Sequence, residues 1–347
     1  MGQGDDVTVQ RPDLGVVVPV YNGERWLRAA LESLQEQTLA DWEAVVVDDG
    51  STDDTLRLAQ EITAGDTRFR VVSQPNAGVA VARNVGLAQL AEGIRFVAFL
   101  DADDRYEPAA LGLLRATLDA RPEAVGAYCL ARYVDAEGVP ILVGRHEAVQ
   151  RDRRRVVGRR VVSADAEVDL AFDSLIVSNA IWPAAVALLR RGDLLALGGA
   201  DPSFQVQEDW ELYLRLSRRG PFAFVPHTLV DYRRHDSNAT VASTQHAFHQ
   251  DRMWHKAWVS RDNTAAQRRS IHRAWRWLQV RQAREHLRQL PTAVRRRDTR
   301  TVARVLAGVG LCLASIVLPG PPVVGARVSA WMHTLVYARQ SWDAVHP

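Results

Sequence analysis

The sequence is poor in cysteine and has no internal repeat. Its 347 residues include two cysteines, Cys129 and Cys312, which lie far apart and match no metal-ligand spacing. This scarcity argues against a disulfide framework and fits a reducing compartment. The length and the ordinary hydrophobic content are those of a globular protein with one large domain or two modest ones.

A secretory signal and a long apolar run are also missing. The first residues, MGQGDDVTVQRPDLG, are acidic and polar, and Asp6 disfavours myristoylation at Gly2. The uncharged run VLAGVGLCLASIVL, residues 305–318, has 14 residues. As a helix it covers ~21 Å, which is less than the ~30 Å hydrocarbon core of a bilayer. We therefore predict a cytoplasmic protein in which this run does not span a membrane alone.

The net charge of +2 conceals a strong division along the chain. Residues 1–250 hold 26 arginines and 36 acidic residues, a balance of −10. Residues 251–304 hold 14 arginines, one lysine and 4 acidic residues, a balance of +11. An acidic body with a basic tail indicates two functions, or one function performed beside an anionic surface.

The first ~110 residues alternate between strand and helix patterns. Four apolar runs predict strands: LGVVVPV, EAVVV, RFRVV and RFVAFL. Between the first two, Leu27, Ala30, Leu31 and Leu34 follow the spacing of a helix stripe. Such a βαβαβαβ series predicts a parallel, doubly wound sheet, whose ligands bind at the carboxyl ends of the strands.

Beyond residue 110 the alternation weakens. The arginine-rich segment 145–160 is expected to be a solvated loop or hairpin. EDWELYLRLSRRG predicts a helix and FAFVP a final strand. From residue 247 onward the pattern is helical, with an interruption expected at Pro291.

An acidic cluster follows the fourth strand, in VAFLDADDRYEP. Asp101, Asp103 and Asp104 occupy three of four positions, and their repulsion calls for a cation or a solvated surface. Carboxylates at a strand end suit a Mg²⁺ or Mn²⁺ ion that bridges to a diphosphate. The alternative is a solvated acidic turn.

Two further candidates lie at the ends of the second and third strands. Asp48 and Asp49 end the second strand, where a carboxylate can accept from a base imide or a ribose hydroxyl. The alternative is a structural role for the motif, with one residue of the following STDD, residues 51–54, as the cap of the next helix. Arg83 falls in the first turns of the helix after NAG, where it can bind phosphate or base oxygens or remain a surface arginine.

The second half adds an acidic pair and a histidine. Glu208 and Asp209 begin a predicted helix, where the helix dipole alone favours acidic residues. Asp209 can instead be a general base whose pKa is raised beside Trp210. His235, in YRRH, is a candidate ligand for metal or phosphate, or a packed or solvated histidine.

The order of these motifs resembles glycosyltransferase family 2. The resemblance covers about residues 13–240 and is carried by VVVPVYNGERWLRAALESLQEQTLADWEAVVVDDGSTDDT, NAGVAVARNVGL, FLDADD, LGGADPSFQVQEDWELYLRL and YRRH. It implies an α/β fold of the GT-A type, a Rossmann-like and mostly parallel sheet with flanking helices, followed by a helical C-terminal region. It also implies a nucleotide-diphospho-sugar donor and inversion at the anomeric carbon.

The domain boundaries follow from the same resemblance. We predict a polar N-terminal extension over residues 1–12 and a glycosyltransferase domain over residues 13–240. Within that domain, residues 13–110 form the nucleotide-binding half and residues 111–240 the acceptor half. Residues 241–347 form a basic helical region that includes the apolar segment 305–318.

The resemblance assigns the donor site to the first half of the chain. Pro19, Tyr21 and Asp49 are expected to line the nucleobase pocket, with Glu24 close by. Arg83 is expected to contact the donor nucleotide.

The resemblance also assigns the metal and the chemistry. Asp101 is expected to approach the ribose or sugar, and Asp103 to bind Mn²⁺ or Mg²⁺, with Asp101 and His235 as further candidate ligands. Asp209 is expected to deprotonate the acceptor hydroxyl, and Glu208 to support it or to bind the acceptor.

The sequence departs from the family pattern near the acceptor, where Ala200 replaces a usual Phe and Pro202 a frequent acid. We therefore predict a metal-dependent, inverting glycosyltransferase that extends a cell-surface glycan or a lipid-linked saccharide. The alternatives are a catalytically inactive nucleotide-sugar-binding subunit and a membrane-associated adaptor. Nucleic acid is not expected as a partner because no nucleic-acid module accompanies the basic tail. An oligomer is compatible with the sequence.

The tail allows two interpretations. Its basic charge and Trp254, Trp258, Trp275 and Trp277 favour docking of residues 251–338 on an anionic membrane, on the cytoplasmic face of the plasma membrane. A further helix is expected in VVGARVSAWMHTLVYARQ, residues 323–340. The other interpretation is a helical bundle that packs on the catalytic domain or on a second subunit.

Overall fold

The computed structural model describes residues 12–141, 153–164, 168–236, 238 and 246–317. The strands are β1 Leu14–Val20, β2 Trp42–Asp48, β3 Phe69–Ser73, β4 Phe96–Phe99, β5 Arg105–Tyr106, β6 Gly126–Val134, β7 Arg153–Val157, β8 Arg160–Ala164, β9 Ala187–Arg190 and β10 Phe222–Arg233. The helices are α1 Leu27–Gln35, α2 Thr55–Thr63, α3 Val79–Gln89, α4 Ala110–Ala120, α5 Phe172–Leu175, α6 Arg191–Ala196, α7 Glu208–Leu216, α8 His246–Val259, α9 Ala265–Arg295 and α10 Thr299–Val317. The helix predicted over residues 323–340, and all but Pro12 of the polar extension, lie outside the described residues.

The first four strands form the predicted parallel sheet. β1 pairs in parallel with β2 and β4, and β2 pairs in parallel with β3. Every residue of β1 is buried, which explains its unbroken apolar run. α3 packs directly on β1 at Gly86, where an added Cβ would lie 2.3 Å from Val17 Cγ1. This close approach fixes the distance between α3 and the middle of β1.

The second half of the chain extends the same sheet to eight strands in the order β3-β2-β1-β4-β9-β6-β10-β5. β9 is antiparallel to β4 and β6, whereas β6 and β10 run parallel. β10 is longer than the predicted FAFVP strand, and its register shifts between Phe224 and Val230, around Pro226. Proline cannot donate to the ladder, so a bulge at this point lets the strand continue. In the segment 145–160, the described residues form one strand and the start of the next in the β7–β8 hairpin.

The first tail helices are part of the core. Trp254 and Trp275 are buried, and Met253 and Ile271 join them in the apolar cluster that also contains the sheet. Trp258 and Trp277 are partly buried against the same cluster. For α8 and α9 the structure therefore has the packing that the bundle interpretation predicted.

The interruption predicted at Pro291 is wrong. α9 runs through Pro291 to Arg295. Proline removes one hydrogen bond to the preceding turn, but only four residues of the helix follow it, and α10 packs back along α9. The chain turns after the helix end, at Arg297, whose φ is 54°. Among the helices of the described ranges, none is long and apolar enough to cross a membrane.

Candidate active site

Arg83 lies at the centre of a buried ion network. It is 3% exposed, and its Nη1 donates to Glu208 Oε1 at 2.5 Å while Nη2 donates to Asp101 Oδ1 at 2.7 Å. Burial opposes the charge of the guanidinium, but Asp101 and Glu208 nevertheless hold the pKa of Arg83 above its usual range. Three elements thus meet at one side chain: α3, the turn after β4 and the start of α7.

Asp209 is a buried carboxylate with a raised pKa. Its Oδ1 accepts from the Trp210 backbone N at 2.6 Å, and its Oδ2 accepts from Asn179 Nδ2 at 3.5 Å. Burial, followed by repulsion from Glu208, raises the pKa of Asp209 to about 7, although Arg83 acts in the opposite direction. Burial also raises the pKa of Glu208. The arrangement provides a carboxylate that can take up a proton near neutral pH.

The backbone before Asp209 supports this arrangement. α7 begins at Glu208, as predicted, and the residue before it, Gln207, has a φ of 63°. A non-glycine residue in the left-handed region costs on the order of 1 kcal/mol or more, so the surrounding packing determines it. Trp210 Nε1 also donates to Leu175 O at 2.7 Å, which fixes the first turn of α7 against the end of α5.

The acidic turn after β4 separates its carboxylates. Asp101 pairs with Arg83, whereas Asp103 Oδ2 lies 2.9 Å from His235 Nε2 and accepts from Asn238 Nδ2 at 3.2 Å. Asp104 is fully buried, and burial together with Asp103 and Asp101 raises its pKa. One turn therefore presents one carboxylate to the Arg83 network and another to His235.

His235 is held in place by an aromatic side chain. The Trp26 ring stacks on the His235 ring with centroids 3.9 Å apart, and Trp26 Nε1 donates to Ala136 O at 3.1 Å. Trp26 comes from the loop after β1, so that loop and the end of β10 meet over Asp103. The ring of His235 is therefore packed, which was one of the alternatives for this residue. Its Nε2 nevertheless lies beside the Asp103 carboxylate.

The side chains at this point can bind a divalent cation only if phosphate oxygens of a bound ligand complete its coordination. Within the described part of the chain no group of three His, Cys, Asp or Glu side chains could hold a metal ion. Asp103 and His235 offer two adjacent donors, while Asp101 Oδ1 is engaged by Arg83. One or two protein ligands completed by phosphate oxygens is the usual arrangement for Mg²⁺ in nucleotide sites.

The ends of β1 and β2 form the predicted donor pocket region. Asp49 is buried, and its Oδ1 accepts from Gln74 Nε2 and Ala77 N while its Oδ2 accepts from Gly78 N. Its carboxylate therefore fixes the loop that leads to α3. Tyr21 is 51% exposed at the end of β1.

The same two strand ends are joined by hydrogen bonds. Glu24 Oε2 accepts from Asp54 N at 3.0 Å, and Asn22 Oδ1 accepts from Thr52 N at 2.8 Å. An added Cβ on Gly23 would lie 3.7 Å from Ala102 Cβ, so this loop borders the acidic turn. Pro19 is buried within β1. Among the residues described, no side-chain hydrogen bond or ion pair links the predicted nucleobase-pocket residues to the Arg83 network.

The loop before α7 is fixed by a residue that the sequence analysis missed. Asn84 Nδ2 donates to Ala200 O at 2.8 Å, and Asn84 Oδ1 accepts from Ala200 N at 2.9 Å. Gly199 has a φ of 74°, and a Cβ there would lie 2.3 Å from Asn84 Oδ1. Ala200, which departs from the family pattern, is thus hydrogen-bonded to Asn84, the residue that follows Arg83 in α3.

Tail helix α8 is tied to the same loop. Lys256 Nζ lies 2.6 Å from Asp201 Oδ2 and 2.5 Å from Glu211 Oε1. Burial alone would raise the pKa of Asp201, but hydrogen bonds from Lys256 and Ser203 hold it well below its usual range. The only lysine in the sequence therefore bridges the tail, the loop and α7.

The tertiary structure brings together some predicted residues and adds others. Arg83, Asp101, Glu208 and Asp209 form one cluster, and Asp103 and His235 form a contact beside it. The residues missed from the sequence are Trp26, Asn84, Asn179 and Asn238. Only Trp26 and Asn84 lay inside segments that carried the resemblance, and nothing in the local pattern of the two other asparagines distinguished them.

Comparisons with known proteins identify related sequences and related folds. The family model described as glycosyl transferase family 2 matches residues 15–158. A chondroitin synthase of Escherichia coli is 27% identical over 238 residues, which are 68% of this chain and 31% of that protein. The chain matches only 13–31% of the length of such curated relatives.

Two solved structures share the fold. The mannosyltransferase PcManGT from Pyrobaculum calidifontis, in complex with GDP-Man and Mn²⁺, has a TM-score of 0.62 at 19% identity, over 96% of this chain and 88% of that one. TarS of S. aureus, in complex with UDP-GlcNAc, has a TM-score of 0.54 at 19% identity, over 86% and 92%. The expected GT-A type fold is thereby confirmed. Residues 15–158 of the chain match glycosyltransferase family 2, and the chain as a whole is similar in fold to these two glycosyltransferase structures.

Proposed function

We propose that this protein transfers a sugar from a nucleotide-diphospho-sugar to a hydroxyl group of a saccharide or lipid-linked acceptor, with inversion. The observation that carries the proposal is Asp209, a buried carboxylate whose pKa is raised to about 7 beside the Arg83 network. A general base works best when its pKa lies near the working pH. The relatives named for glycan synthesis support a polysaccharide acceptor.

The reaction needs one displacement at the anomeric carbon. Asp209 accepts the proton of the acceptor hydroxyl, and the acceptor oxygen forms a bond to the anomeric carbon. The bond from that carbon to the diphosphate oxygen breaks on the opposite side, and its electron pair leaves with the diphosphate. Glu208 and Asp101 keep the Arg83 guanidinium fixed beside this reaction, and Asn179 orients Asp209.

Asp103 and His235 would hold a Mn²⁺ or Mg²⁺ ion together with the donor. When bound, such an ion supplies positive charge that stabilises the diphosphate leaving group. Trp26 supports the His235 ring by stacking, and Asn238 donates to the Asp103 carboxylate. Pro19, Tyr21, Glu24 and Asp49 are proposed to form the nucleobase end of the site.

Donor binding followed by product analysis tests the function. Calorimetric titration with UDP, GDP, dTDP and CDP, each with Mn²⁺ or Mg²⁺, identifies the nucleotide, and its sugar conjugates are then supplied with saccharide acceptors. UDP-GlcNAc and GDP-Man, the donors bound by the two structural neighbours, come first. Donor binding without product under any condition would support the alternative, a nucleotide-sugar-binding subunit without catalysis. A lack of donor binding by folded protein would contradict both.

The rate of transfer should fall in acid with a midpoint near pH 7, because Asp209 must be deprotonated to act as a base. The charged or titratable groups that face it are Glu208, Arg83, Asp101 and Tyr213. Glu208→Gln removes the repulsion that raises the pKa of Asp209, so the midpoint should move to lower pH. A pH–rate profile of kcat measures both. A midpoint near pH 4, the usual range of an aspartate, would contradict a raised pKa.

Asp103→Asn should weaken metal-dependent donor binding by about tenfold or more, because a carboxylate ligand is replaced by a neutral amide. Binding of the free nucleotide without metal should change little. The matched control is Asp119→Asn, since Asp119 is a surface aspartate on α4. Equal metal dependence in the Asp103→Asn variant and the wild type would exclude Asp103 as a ligand.

A second proposal concerns location: peripheral attachment through residues 251–338 to the anionic cytoplasmic face of the plasma membrane. It is supported by apolar side chains that α9 and α10 leave exposed, Leu287, Val294, Leu306 and Leu313, on helices rich in arginine. Sedimentation with phosphatidylcholine vesicles, with and without phosphatidylglycerol, tests it. Protein that stays in the supernatant with both would contradict it and favour the bundle interpretation.

A further inference from the structure

A basic groove lies between the β7–β8 hairpin and α9, on the side of the tail that packs against the catalytic domain. Its volume is about 860 Å³, within the ~300–1,000 Å³ range of ligand sites. Five arginines line it together with Trp277: Arg159, Arg160, Arg273, Arg276 and Arg284. Neither the candidate active site nor the family assignment accounts for this groove.

The groove arginines have no anionic partners in the described ranges. Among the residues described, none of the five makes an ion pair or a side-chain hydrogen bond, whereas Arg288 on the same helix pairs with Glu285. Arg273 and Arg276 are three residues apart on α9, so their like charges lie on the same face of the helix and repel each other. A bound anion would relieve this repulsion.

Two further guanidinium groups lie beside the groove, on the ring of Trp277. The Trp277 ring has Arg154 Cζ at 5.2 Å and Arg281 Cζ at 5.4 Å from its centroid, and the ring is partly buried against the core. A guanidinium group can bind a carboxylate or a phosphate group through two parallel hydrogen bonds, whereas the ammonium group of lysine cannot. Arg154 and Arg281 therefore add to the positive charge that the five lining arginines present to a phosphate or carboxylate group.

One short helix connects the groove to the candidate base. α5 packs on β7, on α9 and on α7, so it contacts both walls of the groove and the catalytic helix. Leu175 O, at the end of α5, accepts from Trp210 Nε1, and Asn179, four residues further on, donates to Asp209. α5 therefore packs against both the groove and the helix that carries Asp209.

We propose that this groove binds the acceptor, and that the acceptor is an anionic saccharide chain whose phosphate or carboxylate groups pair with the arginines. The inference rests on the proposed function, since it names the substrate class of the same site. A concave wall of arginines formed by two facing elements suits a chain laid between them. A flat bilayer surface would contact only its rim.

The test is a binding titration that does not depend on catalysis. Oligosaccharides of four to six units provide three probes: one with uronate residues, one linked by phosphodiesters and one neutral. The groove variant is Arg276→Gln with Arg284→Gln. The matched control is Arg288→Gln with Arg295→Gln, which removes the same charge from exposed positions of α9 outside the groove. Short single-stranded DNA and phosphatidylglycerol vesicles serve as other polyanions.

The groove variant should bind at least one anionic oligosaccharide about tenfold more weakly than the wild type, a change of ~1.4 kcal/mol, while the control variant stays within about twofold. The preferred probe then distinguishes a phosphate-bearing from a uronate-bearing acceptor, and the neutral oligosaccharide should bind weakly throughout. Equal binding by the groove and control variants would overturn the proposal. So would groove-dependent binding confined to vesicles or DNA.

The results that would contradict the proposed transferase function differ from those that would contradict the groove proposal. If the groove binds anionic saccharide but no donor is bound and no sugar is transferred, the transferase proposal fails while the groove stands as a saccharide site. If transfer occurs and the groove variant has the same acceptor KM as the control on anionic acceptors, the groove proposal fails alone. An acceptor KM that rises only in the groove variant, with kcat unchanged, would support both.

Discussion

Asp209→Asn should lower the rate of sugar transfer by about 10²–10⁴-fold, the usual contribution of a general base, with donor affinity largely retained. The amide cannot accept the proton of the acceptor hydroxyl, but it preserves the shape of the side chain and its contact with Asn179. Donor contacts are proposed for other residues, so the donor KM should change little. Initial rates and calorimetric donor titration measure the two effects separately.

The same substitution should raise the melting temperature. The pKa of Asp209 is above that of an unfolded aspartate, so the folded state binds this proton more tightly than the unfolded state does. The ionised carboxylate therefore destabilises the fold increasingly between pH 4 and its folded pKa of about 7, and fully above that. The gain from Asn should be larger at pH 8 than at pH 5. Thermal unfolding at the two pH values measures it.

Two controls make the assignment of the base specific. Asp119→Asn removes a surface carboxylate and should change neither the rate nor the melting temperature appreciably. Glu208→Gln should leave a transfer activity that depends on Asp209. Full turnover in the Asp209→Asn variant would move the role of base to Glu208, the other buried carboxylate at the start of α7.

Arg83→Met should reduce the free energy of unfolding by about 3–5 kcal/mol, the cost of breaking a buried ion pair by removing one partner. Arg83 is the shared partner of Asp101 and Glu208, and without it Glu208 and Asp209 face each other in a buried site with no cation at this point. Their repulsion adds to the cost of burial. Urea denaturation measures the loss, and transfer activity should disappear with it.

A double variant separates the ion pair from simple packing. In Arg83→Met with Glu208→Gln, the uncompensated charge on Glu208 is removed, so part of the lost stability should return. Arg95→Met is the matched control, because Arg95 is a half-exposed arginine in ion pairs with Asp13 and Asp119, and such pairs contribute ~0–1 kcal/mol. A loss at Arg83 no larger than that at Arg95 would contradict the buried network.

The local pattern of the sequence determined the elements of the first half. Continuous apolar runs predicted β1 to β4 because strands covered on both faces carry few polar residues, and the spacing from Leu27 to Leu34 predicted α1. The start of α7 at Glu208 was also predicted, since acidic residues before an apolar stripe favour a helix start. These features depend on neighbours in the chain, which the sequence displays directly.

The sequence also placed polar residues at the correct edge of the sheet. In a parallel sheet the carboxyl ends of neighbouring strands share one edge, so the ends of β1, β2 and β4 had to lie together. The order of the motifs then identified the family, which the family model confirms over residues 15–158. Local periodicity failed at Pro291, where packing of α10 along α9 outweighs the loss of one hydrogen bond.

Only the tertiary structure decided which distant residues meet. Arg83 and Glu208 are 125 positions apart, and Asp103 and His235 are 132 apart. Periodicity records whether a side chain is buried, but it does not record which remote side chain will be its partner. The groove is a further case, because β8 and α9 each appear in the sequence as separate basic segments. Their arginines became one surface only when the fold brought the two walls together, and the shared burial of the sheet and the tail helices is what holds them there.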